Sequence, residues 1–160
     1  MNILTVNLLF SILVFSVAAK IYVFPRLGLG PQVVLPPILI LHALRHLGLM
    51  FLAPGAVYAG LPTEFAYPAA IGDLVAAILA LIAIPAVMSN AGYAKALVWT
   101  FNIWGTLDLF NAIVLATKFG AAPYMGAAYW IPAFWVPALL VTHFVTFVLL
   151  LRHWPSSRAA

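Results

Sequence analysis

The residues able to do chemistry in this chain are few, and they are grouped. His42, Arg45 and His46 stand close together, Asp73 stands alone, Asn102, Thr106, Asp108 and Asn111 form a third set, and Thr142, His143 and Thr146 a fourth. Imidazoles beside carboxylates can exchange protons near neutral pH, which makes His143, Asp108 and Asp73 the candidates for general acid/base work. Arg45 stays protonated at any accessible pH and requires a carboxylate. Asp108 is the first choice, leaving Asp73 to be protonated itself or to pair with a protonated His46 or His42.

If these segments are helical, residues three and four apart share a face. His42, His46 and Leu49 then form one stripe with Arg45 on its edge. Trp104, Asp108 and Asn111 form a second, and Leu139, His143 and Thr146 a third. Ala69, Asp73, Ala76, Ala80 and Ala83 form a small-residue face that lets a neighbouring helix approach closely. The simplest arrangement turns the four stripes toward one another, while the first segment, with only Asn7 and Ser11 on one face, stays peripheral. The ligand-binding set expected from this is Arg45, His42, His46, Asp73, Trp104, Asp108, Asn111 and His143. Trp104, Phe110, Trp135 and Leu139 would supply apolar walls, a combination suited to a hydrophobic or amphiphilic small molecule.

The elements that must position these groups follow from composition. Of 160 residues, 66% are hydrophobic and 6% charged, with mean hydropathy +1.15. A soluble domain carries about 25% charged residues. The chain therefore reads as an all-α integral membrane bundle of five transmembrane helices forming a single domain over 1–160. Each helix needs about 20 mostly apolar residues, and the expected spans are 3–24, 34–53, 69–88, 96–117 and 132–151. Pro36-Pro37 and Pro132 suit first turns. Pro137 removes the bond to the Ala133 carbonyl and predicts a kink.

Positive charges set the direction. With the N-terminus outside, Lys20, Arg26, Lys95, Arg152 and Arg158 fall on the inner side, and only Lys118, with Glu64, on the outer. The expectation is N-terminus outside and C-terminus cytoplasmic, in a bacterial inner membrane among membrane lipids. Ser16-Val17-Ala18 loosely resembles a cleavage site. However, the positive charges follow the apolar stretch rather than precede it, so the first helix is expected to be retained. The outer connections, 54–68 and 119–131, carry Tyr58, Phe65, Tyr67, Tyr124, Tyr129 and Trp130. They suit an aromatic belt or a lid folded over a cavity.

Other chemistry is narrowed by what is missing. The chain has no cysteine, which excludes disulfides and thiolate chemistry. Its basic residues form no polybasic run, so nucleic acid is not expected as a partner. No lysine falls mid-span for a Schiff base, and the serines (Ser11, Ser16, Ser89, Ser156 and Ser157) occupy no G-x-S-x-G elbow. Haem between His42 or His46 and His143 is one alternative. A metal held by His42, His46, His143 and Asp108 is a second, although Arg45 opposes a divalent cation. A proton relay is a third. An accessory role, with the alanine face serving a second copy or a partner membrane subunit, is a fourth. The five tryptophans and five spans resemble, in general character, the tryptophan-rich sensory and sterol-isomerase-like membrane proteins; no motif matches residue by residue, and no site residue is carried over.

Overall fold

Long apolar runs broken by Gly and Pro give helices wherever the backbone can satisfy itself. The computed structural model describes residues 2–155 and contains only helices and their connections among them. Ser156, Ser157 and Arg158 lie outside the described residues. The α-helices are α1 (Ile3–Ala18), α2 (Pro31–Ala43), α3 (Thr63–Met88), α4 (Ala94–Lys118) and α5 (Val136–Val148). Tighter or wider turns extend three of them. The result is five helices long and apolar enough to cross a membrane: Ile3–Leu29, Pro31–Leu52, Thr63–Met88, Ala94–Lys118 and Gly126–His153.

Two boundaries differ from expectation for local reasons. Gly30 takes φ +92, a conformation L side chains avoid, and Pro31 supplies a first helical residue that needs no N–H. The second helix thus begins earlier than position 34, and Pro36 and Pro37 lie inside it rather than in its first turn. The third begins at Thr63, so Pro68 is internal as well.

α3 is the centre of the bundle, packing against α2, the turns that extend it, and α4. Ala69, Ala76, Ala80 and Ala83 are all buried, as the small-residue stripe predicts. Helices of the same chain cover that face. α1 is peripheral and has no buried residue of its own. It leans on the fifth helix, where Asn7 Nδ2 donates to the Tyr129 hydroxyl at 2.7 Å and Ser11 Oγ donates to the Ala133 carbonyl at 2.8 Å. That carbonyl is the one Pro137 leaves without an N–H. The chain takes a wide π turn over Ile131–Trp135 just before it, and Ser11 supplies the missing donor.

The connections at one end fold over it. Tyr58 N donates to the Tyr124 carbonyl at 2.9 Å, and Ala128 N to the Ala56 carbonyl at 3.2 Å. Gly126, at φ +50, sits so close to Ala56 that a Cβ would crowd its carbonyl oxygen. Phe51, Phe65, Ala66, Ala69, Ala121, Met125 and Ala128 bury together beneath them. At the opposite end Gln32 Nε2 donates to Asn90 Oδ1 at 2.9 Å. There the core is larger, built on Leu35, Leu39, Ala80, Ala83, Val87, Val98, Phe101, Val145 and Leu149.

Candidate functional site

Arg45 owes its position to a change of helix type. α2 stops at Ala43, and Leu44–Leu52 continues as a 3-10 helix. At about three residues per turn, side chains three apart eclipse. His42, Arg45, Gly48 and Phe51 therefore stand on one line, and all four are buried. An α-helical continuation would have paired His46 with His42. Instead His46 is exposed, and its Nδ1 donates to the Ala43 carbonyl at 3.1 Å.

From that line Arg45 reaches three other helices. Its Nε donates to Asp73 Oδ1 at 2.7 Å and its Nη2 to Asp108 Oδ2 at 2.7 Å. Its Nη1 donates to the Gly105 carbonyl and to His143 Nε2, both at 3.2 Å. A guanidinium has only donors, so His143 Nε2 must accept and the imidazole proton sits on Nδ1. That proton goes to Asn102 Oδ1 at 2.7 Å, and Asn102 Nδ2 returns a bond to the His143 carbonyl at 3.3 Å. Arg45, His143 and Asn102 are each no more than 1% exposed. Asp108 pairs with Arg45 as expected, and Asp73 does so too instead of being left over for His46 or His42.

His42 lies beside this chain without joining it. Its ring contacts His143, with centroids 4.2 Å apart, and meets the edge of Phe101 at 5.0 Å. The Thr142 hydroxyl donates to the Ala138 carbonyl, so it accepts from His42 Nε2 at 2.9 Å. Nδ1 has no partner among the described residues. Two imidazoles in contact leave no room for a porphyrin between them, and His46 faces away. Among the described residues no three of His, Asp and Glu gather as metal ligands.

Three glycines let these helices close on the charges. A Cβ on Gly72 would overlap the Asp108 carboxylate, and one on Gly48 would overlap that of Asp73. A Cβ on Gly105 would stand 2.6–2.7 Å from His143 and Arg45. Each buried charge is seated on a glycine of a neighbouring segment. Sequence reasoning missed these, although Gly48, Gly72 and Gly105 each lie within three residues of a charged group.

On α4 the inward face carries Asn102, Gly105 and Leu109, not Trp104 and Asn111. Trp104, Phe110 and Asn111 are exposed. Of these expected wall and binding residues, Phe110 and Asn111 do not converge with the rest, and Trp104 reaches it only through its Nε1, which donates to the Gly72 carbonyl at 3.4 Å. Asp108 sits at the edge of the inward face and reaches Arg45 from there. Leu139, His143 and Thr146 do share a buried face, as expected.

Above the network, toward the folded connections, lies a cavity of about 550 Å³. Phe51, Phe65, Ala69, Leu109, Ala112, Ile113 and Val136 form its walls, and Ala122, Pro123 and Met125 close over it. Among the described residues Asp73 is the only ionisable one lining it. The network and the cavity meet at this one side chain.

The chain belongs to a family described as a domain of unknown function, DUF8737, whose match covers residues 3–151. No curated protein and no solved structure matches it.

Proposed function

We propose that this DUF8737 member is a multi-pass membrane protein of a bacterial inner membrane whose lidded cavity binds a hydrophobic or amphiphilic small molecule, with the polar end at Asp73. Five helices of sufficient length and apolarity support the membrane assignment. Lys20, Arg26, Lys95 and Arg152 against Lys118 and Glu64 support an N-terminus outside and a C-terminus in the cytoplasm. Asp73 stands ten residues into α3 and Asp108 ten residues before the end of α4. Each is therefore about 15 Å along its helix, near the middle of a hydrocarbon layer about 30 Å thick.

The observation that carries the reading is that Asp73 serves two structures at once. It is a wall of an apolar cavity and a partner of Arg45. A charged pair at mid-depth is costly and marks a site in most membrane bundles. The cavity volume falls within the range of small-molecule sites. Of the three acid/base candidates, Asp73 alone lines the cavity; His143 and Asp108 act on it through Arg45.

Native mass spectrometry of protein released from mild detergent tests this. The expected spectrum contains a defined amphiphile bound to the wild type and missing from Ala112→Phe, which fills the cavity. Preparations that never carry a defined adduct would contradict the binding role.

A further inference from the structure

The chemistry of the cavity wall selects the kind of polar end it accepts. Its polar lining consists of Asn2, Thr5, Asp73 and Thr117. The two hydroxyl protons are already committed, Thr5 to Asn2 Oδ1 and Thr117 to the Ile113 carbonyl, each at 2.8 Å. Among the described residues no Lys, Arg or His lines the space.

Arg45 cannot supply the missing positive charge. It is 1% exposed and does not line the cavity. Four of its N–H groups are engaged by Asp73, Asp108, Gly105 and His143. Asp73 is itself more than nine-tenths buried, with only Oδ1 bonded to Arg45. Its Oδ2 rests against Gly48 and meets no hydrogen-bond donor among the described residues. Around one guanidinium stand two carboxyl groups, one more than its single charge can balance. In low dielectric a second anion beside Asp73 is repelled, while a cation or a strong donor is drawn in.

We infer that the ligand of this cavity is an apolar molecule ending in a hydrogen-bond donor, a protonated amine above all, and not a carboxylate or phosphate amphiphile. This rests on the cavity being a binding site at all. Three probes with one cage-shaped hydrocarbon body separate the two questions: 1-adamantanamine, 1-adamantanol and adamantane-1-carboxylate. Calorimetry on the protein in lipid nanodiscs, corrected with empty discs, should rank amine over alcohol over carboxylate. The amine should bind at least about ten-fold more tightly than the acid. Asp73→Asn, nearly the same in volume, should erase the amine's advantage over the alcohol, and Ala112→Phe should abolish binding of all three.

If the carboxylate binds as tightly as the amine, the inference is overturned and the cavity reading survives. If no probe shows binding that Ala112→Phe removes, the cavity reading itself fails. Should Asp73→Asn not fold, the wild-type ranking together with Ala112→Phe still decides.

Discussion

On the two sides of the Arg45 network the same helices pack to different densities. Ala69 and Ala80 make the contrast on a single face of α3. Both are buried, at 2% and 0% exposure, and three turns separate them. On the side of Ala80 the alanine face meets large residues such as Leu35, Leu39, Val98 and Phe101, which fill the space. On the side of Ala69 it faces Ala112 and Ala116 of α4, and small against small leaves the cavity. Small residues do not by themselves mean close packing; what stands opposite decides. Along α3 the polar network is the partition between a filled stretch of its alanine face and a hollow one.

Arg45→Ala removes that partition and should have the largest effect. It leaves two carboxylates unpaired in the interior, a loss of about 3–5 kcal/mol. Chemical unfolding in detergent should show this, and adding Asp108→Asn should restore only part, because Asp73 remains unpaired. Full stability of the single variant would mean the ion pairs do not form.

The two stretches should then respond oppositely to added bulk. Ala80→Phe overpacks the filled stretch and should cost about 1–3 kcal/mol or more. Ala112→Phe enters the cavity and should cost much less in the same unfolding assay. Equal costs would remove the contrast.

Glycines sharpen the account of the boundary. Gly105→Ala forces a methyl against His143 and Arg45, both held by hydrogen bonds, and should destabilise by about 1–3 kcal/mol. Gly28, with nothing within 4 Å of its added Cβ, should tolerate the same change. A small effect is expected at the periphery. Ser11→Ala strands the Ala133 carbonyl and should cost about 1 kcal/mol, visible as a modest shift in unfolding midpoint.

Much of this was legible in the sequence because long apolar runs leave few options for the backbone. The five long helices, the peripheral first one, the alanine face of α3 and the Leu139–His143–Thr146 stripe all follow from apolar length and helical spacing. His46 did not follow, because nothing local announces that α2 gives way to three-residue turns after Ala43. The face of α4 was misjudged for a related reason. Asp108 was read as its centre, whereas an arginine is long enough to meet an acid at the edge. Gly48, Gly72 and Gly105 had a readable signal, a glycine beside a charge in an apolar helix. A cavity beneath the outer connections is one of the readings they suit, but its walls had no signal, since they depend on which small residues face each other.

The absence of native cysteine permits the most direct test of the hollow and filled stretches. Ala69→Cys and Ala80→Cys place one thiol each on the same buried face, and methylmercury is small enough to enter the cavity. The account predicts that the folded protein in lipid reacts at position 69, and at position 80 only after unfolding. It also predicts that 1-adamantanamine slows the first reaction. Equal reactivity at the two positions would contradict it.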